Sequence, residues 1–404
     1  MEKKIFITGM GAVTPIGVGV NEFIKGLEEG RCAISEIETV DTSDLKVKEA
    51  AQVKGFDAKQ HLPSRLAQDL EPYMQYAFVS AQEALEMSGI RPGENVRPER
   101  IGIVMGTALH GINIAGVTQE KMTASGRSAG PKFLVKYMGN IAAAQFAINS
   151  GIKGPSLTVS TACSSGGDAI GTAAGLIALG AADVMVVMAG EAAINRMNIQ
   201  SLVKMGALSK TGQSLPFDKN RNGFVLGEGG GAVILENEGS VKGRGAAPLA
   251  ELLGCGNNTD GFNPVSPHPE GEGAAACIKL ALDAAGISPD DVDYINAHGT
   301  ATPAGDIAEV HAIHSVFGER PVFVSSTKGM TGHMMGAGGI TEVIACVNAV
   351  RTGHMPVNVG CTERDENCDL NLVTNENCCA DVRIALSNAM GFGGQNSCII
   401  VGRA

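Results

Sequence analysis

Short apolar runs rich in β-branched residues alternate with longer alanine-rich stretches along the chain. The short runs have the length and composition of buried strands, because β-branched side chains pack well on a pleated surface. The predicted strands are KIFITG, IGIVMGT, SLTVST, DVMVVMAG, GAVILE, AELLGCG, DYINAHG, VFVSST, RIALSNA and CIIVG. The predicted helices span 71–89, 164–180, 273–286, 304–317 and 336–351. This alternation predicts an α/β fold with sheets buried between helices.

A Gly-rich, charged segment at 237–248 divides the pattern into two halves. Each half holds strands that end in polar, Gly-rich motifs, although no direct sequence identity between the halves is visible. We therefore predict two α/β units, residues 1–245 and 246–404, that together form a duplicated core.

The bulk composition limits the possible functions. The chain has 404 residues and is 44% hydrophobic, which is ample for one large or two fused cores. No apolar run reaches the roughly 18 residues that a membrane span needs. The first residues, MEKKIFITGMG, contain no long apolar signal region, so we interpret them as a first strand and expect a cytoplasmic protein. The net charge of -11 argues against nucleic acid as the main ligand.

Ten cysteines are scattered along the chain, and no C-x-x-C motif occurs. The cluster Cys361, Cys368, Cys378 and Cys379 lacks the spacing of a zinc site. We therefore expect reduced cysteines, mostly structural, and no bound metal.

Cys163 lies where the predicted strand SLTVST turns into the predicted helix 164–180. The free N–H groups at a helix start carry a partial positive charge, which stabilises a thiolate and lowers its pKa. The small residues that follow, SSGG, let a substrate approach closely. We predict that Cys163 is an activated nucleophile; the alternative is a buried structural cysteine.

Two histidines favour the nucleophile. His298 follows a predicted strand in NAHGTATPAGDIAE, and His333 lies in a Gly-flanked turn in SSTKGMTGHMMGAGG. Metal and nucleotide alternatives fail, because H-E-x-x-H, a complete dinucleotide fingerprint and a P-loop are all missing from the sequence. The glycine-rich loop 391–396, GFGGQN, instead exposes backbone N–H groups that suit an oxyanion hole.

Five motifs in order resemble the β-ketoacyl-acyl carrier protein synthases of the type II elongating group, which have the thiolase fold. They are TACSSG, PFDKNRNGFVLGEGGGAVILE, NAHGTATPAGDIAE, STKGMTGHMMGAGG and NAMGFGGQN, and the match covers essentially the whole chain. The resemblance implies a five-layered αβαβα core and a homodimer. It also implies a decarboxylative Claisen condensation, in fatty acid elongation, of an enzyme-bound acyl group with malonyl-acyl carrier protein. No cofactor is implied, since phosphopantetheine arrives on the carrier protein.

The resemblance also assigns roles to residues. Cys163 takes the acyl chain as a thioester, and His298 and His333 bind the malonyl thioester carbonyl and stabilise the enolate. The backbone N–H groups of Cys163 and Phe392 form the oxyanion hole, and Phe392 gates the acyl tunnel. Further implied site residues are Lys328 behind the histidines, Glu309 as its carboxylate partner, a supporting Asp306, and Thr300 and Thr302 along the phosphopantetheine approach.

The chain departs from the family pattern around the acyl pocket and the docking helix. GTALHG places Leu109 and His110 where the family has GSGIGG, and Met390 replaces a phenylalanine near Phe392. These changes indicate short to medium acyl primers. The family docking helix is basic, whereas this chain reads SRLAQDLEPYMQYA at 64–77, so the carrier-docking surface and the chain length stay open.

Three alternatives remain at this point. One is a ketosynthase of a polyketide or specialised-lipid pathway, which the altered pocket residues also fit. A non-catalytic chain-length partner subunit is disfavoured, because such subunits usually lose the nucleophile. A thiolase is disfavoured because its second catalytic cysteine lies in a loop, whereas Cys398 lies in the last predicted strand.

Overall fold

The computed structural model describes residues 4–404. The strands are β1 (Ile5–Thr14), β2 (Gly17–Val18), β3 (Ile34–Glu36), β4 (Glu49–Ala51), β5 (Ile101–Gly106), β6 (Ser156–Val159), β7 (Val184–Glu191), β8 (Gly229–Asn237), β9 (Ala250–Thr259), β10 (Tyr294–Asn296), β11 (Phe323–Ser325), β12 (Asn371–Leu372), β13 (Ile384–Gly391) and β14 (Gln395–Gly402). All ten predicted strands are present.

The helices match the five predicted ones to within two residues at each end and add several that were not predicted. They are α1 (Val20–Glu28), α2 (Ala58–His61), α3 (Ser64–Asp69), α4 (Pro72–Ser88), α5 (Ile112–Ser125), α6 (Phe133–Tyr137), α7 (Asn140–Ser150), α8 (Ser165–Ala178), α9 (Arg196–Met205), α10 (Glu238–Arg244), α11 (Glu272–Ala285), α12 (Pro303–Phe317), α13 (Lys328–Thr331) and α14 (Gly338–Thr352). Among the described residues, no helix is long and apolar enough to cross a membrane.

The strands repeat one topology twice. The N-terminal strands lie in the order β6-β5-β7-β8-β1, and the C-terminal strands in the order β11-β10-β13-β14-β9. In each half the first three strands are parallel to one another and the last two pair antiparallel. A short pairing of β1 with β9 joins the halves into one twelve-stranded sheet. The duplication that was not visible in the sequence is therefore present in the fold.

Three large apolar clusters define the layers. One lies between α4, α7 and the outer face of the N-terminal strands, and another between α11, α12 and the outer face of the C-terminal strands. The third surrounds α8 and α14, which pack between the two sets of strands. The resulting order of helix, sheet, helix, sheet, helix is the expected five-layered core.

The two central helices approach each other through glycines near their N-termini. A Cβ placed on Gly166 would lie 2.9 Å from the carbonyl oxygen of Gly336, and one on Gly339 would lie 2.7 Å from the backbone nitrogen of Gly167. Side chains at these positions would force the helices apart. Because Cys163 precedes α8 and His333 precedes α14, this close packing brings the two residues together.

Candidate active site

Cys163 lies in a single 3₁₀ turn, Ala162–Ser164, between β6 and α8. Ala162 has a φ of 50°, an uncommon conformation for a residue with a side chain, so the backbone turns sharply just before the thiol. The Ser164 hydroxyl donates to the carbonyl oxygens of Ala389 and Gln395, which ties this turn to the C-terminal half. Cys163 is 5% exposed and reaches the base of a cleft.

His333 Nε2 lies 3.0 Å from Cys163 Sγ, which is a hydrogen-bonding distance for sulfur. The ring of His298 meets the ring of His333 edge to face, with their centroids 5.3 Å apart. Both histidines are buried, and the Nδ1 atom of each has no hydrogen-bond partner. Because the partner of one nitrogen normally fixes the tautomer, neither histidine is fixed in a single tautomer by the described residues.

The two histidines are neutral bases in this environment. Burial lowers the pKa of both rings well below the usual value, and the nearby Lys328 ammonium lowers both further. A neutral imidazole can donate a hydrogen bond to a thioester carbonyl without delivering a second proton to an enolate. The electrostatics therefore fit the predicted role of two neutral donors.

The predicted pairing of Lys328 with Glu309 is wrong. Lys328 Nζ forms its ion pair with Glu342 Oε1 at 2.5 Å, and both residues are buried. The Glu309 carboxylate instead accepts hydrogen bonds at 2.7 Å from the backbone N–H groups of His298 and Gly299. Glu309 therefore positions the His298 segment, and Glu342 neutralises the buried lysine.

Asp306 supports the same region from the start of α12. Its carboxylate accepts hydrogen bonds from the backbone N–H groups of Phe217 and Ala301, and it lies 3.6 Å from the Arg221 guanidinium. Ala301 has a φ of 64° and separates Thr300 from Thr302, whose hydroxyls lie 3.2 Å apart. Asp306 thus holds a strained loop.

The predicted fall in the pKa of Cys163 is also wrong. Burial raises the pKa of this thiol to about 12, against the opposing effects of the Lys328 ammonium and the Phe392 N–H group. The reason is that Cys163 lies before the first turn of α8 and is only 5% exposed, so the loss of water around a thiolate dominates. Cys163 is therefore a protonated thiol at rest.

The predicted oxyanion-hole loop lies against the thiol. The backbone N–H of Phe392 hydrogen-bonds the Cys163 sulfur. A Cβ placed on Gly391 would lie 2.7 Å from the carbonyl oxygen of Thr161 and 3.2 Å from the backbone nitrogen of Cys163, so only glycine allows this approach. The two N–H groups proposed as donors therefore come from segments that touch each other.

A cleft of about 300 Å³ leads from the surface to these groups. The site residues that line it are Cys163, His298, Thr300, Thr302, His333, Met390 and Phe392. Leu109 and His110 do not line this cleft. Leu109 packs on the apolar cluster that includes Cys163. The His110 ring lies against Gly139, and the backbone of His110 has a φ of 51°.

Sequence reasoning missed two buried carboxylates. Glu342 interrupts the apolar run of α14, and Glu191 ends the apolar strand β7, so each was visible as a single charge in a hydrophobic context. Glu191 accepts hydrogen bonds from the backbone N–H groups of Ala108, Leu109 and Gly336. It therefore fixes the GTALHG segment against the turn that follows His333.

The family profiles match both halves of the chain. The profile described as "Beta-ketoacyl synthase, N-terminal domain" matches residues 2–239, and "Beta-ketoacyl synthase, C-terminal domain" matches residues 249–362. The chain belongs to the beta-ketoacyl synthase family. As a beta-ketoacyl synthase it is an acyltransferase of the condensing type, as the motifs indicated.

Curated relatives and solved structures agree with this family. The chain is 36% identical over 405 residues to a Staphylococcus aureus "3-oxoacyl-[acyl-carrier-protein] synthase 2", with 98% of each chain covered. It is 37% identical over 403 residues to the Synechocystis protein of the same name, covering 98% of this chain and 97% of that one. Two similar structures are "The ishigamide ketosynthase/chain length factor" (TM-score 0.94, 31% identity) and a Burkholderia phymatum beta-ketoacyl synthase (TM-score 0.90, 29% identity), each with full coverage of both chains.

Proposed function

We propose that this beta-ketoacyl synthase condenses a Cys163-bound acyl group with malonyl-acyl carrier protein in fatty acid elongation. The contact of 3.0 Å between Cys163 Sγ and His333 Nε2, beside His298 in one cleft, carries the proposal. A similar protein of S. aureus is named 3-oxoacyl-[acyl-carrier-protein] synthase 2, which agrees with this substrate class.

The first half-reaction transfers the acyl group to the thiol. Cys163 Sγ attacks the thioester carbonyl of the acyl carrier while its proton moves to His333 Nε2. The N–H groups of Cys163 and Phe392 donate hydrogen bonds to the developing oxyanion. The carrier thiolate then leaves and takes the proton back from His333, so the histidine returns to its neutral form. Because burial keeps Cys163 protonated, the proton transfer accompanies the attack.

The second half-reaction uses the histidines as donors. The malonyl thioester carbonyl accepts hydrogen bonds from His298 and His333, carbon dioxide leaves, and the electron pair of the broken C–C bond forms the enolate. The enolate carbon attacks the acyl carbonyl, and Cys163 leaves as a thiolate that takes up a proton from solvent water. Burial and Lys328 keep both imidazoles neutral, so a strong acid does not quench the enolate.

A polyketide or specialised-lipid substrate is the second candidate. A structural relative is described as "AntDE:AntF (apo): type II PKS acyl-carrier protein in complex with its ketosynthase bound to the hexaketide" (TM-score 0.90, 29% identity). That relative is consistent with an acyl carrier protein as the partner of this chain, whichever pathway supplies the acyl group. The intact Cys163–His333 pair disfavours a non-catalytic chain-length subunit.

A homodimer is proposed on the exposed edge of the sheet. β6 is the last strand at the N-terminal end of the sheet, and its Leu157 is 46% exposed in the single chain. Neighbouring elements α5 and α6 expose further apolar side chains, including Leu134 at 62%. An unpaired edge with apolar side chains is an aggregation site unless a partner covers it. Sedimentation should give a dimer, and Leu157→Asp should shift it toward monomer.

The expected cytoplasmic location stays a prediction.

The decisive test uses loaded carrier proteins. Wild-type protein incubated with acyl-acyl carrier protein should carry the acyl group only on Cys163, as mapped by peptide mass spectrometry. A carrier thioester is preferable to a small alkylating agent, because Cys32 and Cys379 are exposed and Cys163 is buried. Cys163→Ala should lose condensation by at least about 10⁴-fold while it still decarboxylates malonyl-acyl carrier protein. An acyl group on another cysteine, or condensation by the Ala variant, would contradict the proposal.

A further inference from the structure

Three metal-ligating side chains meet on the surface, outside the catalytic cleft. One ligand atom each from His354, Cys378 and Cys379 lies within 4.8 Å of the other two. His354 and Cys378 are half-buried, and Cys379 is exposed. Neither thiol forms a disulfide, and the His354 ring has no hydrogen-bond partner within the described chain. The expectation of no bound metal rests on cysteine spacing and on the missing H-E-x-x-H motif, and neither detects ligands that only the fold brings together.

The backbone holds these residues in place. His354 directly follows Gly353, which ends α14 in the left-handed conformation. His354 and Cys379 form an antiparallel bridge, flanked by hydrogen bonds from Met355 N to Cys378 O at 2.7 Å and from Ala380 N to Gly353 O at 2.9 Å. The three ligands therefore belong to two chain segments that are already hydrogen-bonded together. Little conformational entropy would be lost on binding an ion.

The spacing of the ligand atoms suits a tetrahedral ion. Two sulfur ligands at about 2.3 Å from zinc are about 3.8 Å apart. The Sγ atoms of Cys378 and Cys379 are 4.0 Å apart. Two thiolates balance the charge of a divalent cation, the neutral imidazole supplies a third ligand, and water can fill the fourth position. Thiolate and imidazole ligands select a soft ion such as Zn²⁺ over Mg²⁺ or Ca²⁺.

We propose that His354, Cys378 and Cys379 form a surface Zn²⁺ site that fastens the C-terminal end of α14 to the segment leading into β13. Binding releases the two thiol protons and creates two Zn–S bonds and one Zn–N bond. α14 also carries Glu342, the partner of Lys328, so the site stabilises the helix behind the catalytic histidines. The proposal does not depend on the condensing activity.

The experiment is a Co²⁺ titration of the full-length chain in a Cys163→Ala background, under reducing, oxygen-free conditions. This background removes the catalytic thiol, which with His333 is another possible ligand set. We expect one equivalent of Co²⁺ to give a thiolate-to-cobalt charge-transfer band and tetrahedral d–d bands, both displaced by one equivalent of Zn²⁺. Zn²⁺ should also raise the melting temperature.

Three single variants locate the site. Cys379→Ser should remove most of the charge-transfer band, and His354→Ala should weaken Co²⁺ binding at least about tenfold, since even outer-shell losses cost 10–100-fold. Cys32→Ser is the matched control, because Cys32 is also exposed but lies elsewhere, and its titration should equal that of the parent. No band in the parent, an unchanged band in Cys379→Ser, or a lost band in Cys32→Ser would overturn the proposal. Far-UV circular dichroism of each variant verifies the fold.

Discussion

The two halves share one strand order but carry different chemistry at equivalent positions. In the N-terminal half, Cys163 follows β6 and precedes the central helix α8; in the C-terminal half, Lys328 follows β11 and precedes the central helix α14. The connection before α8 therefore carries the proposed nucleophile, and the connection before α14 carries both His333 and a buried cation that keeps the histidines neutral. The comparison teaches that the duplicated fold supplies the positions, and the residues after each strand supply the chemistry.

The largest expected effect concerns Lys328, the buried cation of the C-terminal half. Lys328→Ala should lower the free energy of unfolding by about 3–5 kcal/mol, because it leaves the Glu342 carboxylate buried without its cation. Urea denaturation measures the loss. The control, Lys328→Met combined with Glu342→Gln, removes both charges and should restore most of the stability. A loss below about 1 kcal/mol in the single variant, typical of an exposed ion pair, would contradict the buried pair.

The two histidines of the C-terminal half are expected to act in different steps of the reaction. His298→Ala and His333→Ala should each reduce malonyl decarboxylation by about 10²–10³-fold, the cost of one oxyanion donor. Only His333→Ala should also slow acyl transfer to Cys163 to a comparable degree, because only His333 contacts the thiol. Single-turnover assays of acylation and decarboxylation separate the two effects. Equal acylation rates in wild type and His333→Ala would exclude His333 as the base.

In the N-terminal half, the buried Glu191 is expected to make the stability of the protein depend on pH. Burial raises the pKa of Glu191 to about 7, so the folded protein binds this proton more tightly than the unfolded chain. The stability contributed by Glu191 is therefore present below the unfolded pKa near 4.5 and is lost as the pH rises to about 7. Glu191→Gln should remove this part of the fall in the free energy of unfolding, which amounts to up to about a few kcal/mol between pH 5 and pH 8. Parallel denaturation profiles for both proteins would refute the assignment.

The smallest expected effect concerns the acyl chain. Leu109 packs on the apolar cluster that includes Cys163, so Leu109→Ala should open space within that cluster into which a longer acyl chain can extend. Each additional methylene buried there contributes about 0.8 kcal/mol, roughly a fourfold preference for the longer chain. Competition between acyl carriers of increasing length measures the shift. Leu179→Ala, at a side chain that is 84% exposed, is the control and should keep the wild-type profile.

The strands and central helices were predictable because their apolar patterns are strong. The meeting of Cys163, His298 and His333 in one cleft was predictable because each lies in a motif after a strand. Pairing was harder to predict. The family resemblance implies Glu309 as the partner of Lys328, yet the carboxylate that reaches Lys328 is Glu342, one turn into α14. Which of two buried carboxylates reaches a lysine depends on how the helices pack, and spacing along the chain does not encode that.

The pKa of Cys163 shows the same limit. A helix start lowers the pKa of a thiol, and this effect can be inferred from sequence. Burial raises the pKa of the thiol, and the depth of burial depends on how the helices and strands of the fold pack around the Cys163 turn. Likewise, His354 lies 24 residues before Cys378, so only the backbone bridge of the folded chain groups the two side chains.

The strand order also has a consequence for synthesis on the ribosome. β1 emerges well before its long partner β8, which begins about 215 residues beyond Thr14, and β9 follows β8. At about 5–20 residues per second, β1 waits roughly 10 to 45 s for a partner. During this time the apolar segment IFITGMGAVT has only the two-residue strand β2 as a partner, at its C-terminal end. Newly made chains therefore pass through a long interval in which a chaperone that covers exposed strands would raise the yield of folded enzyme.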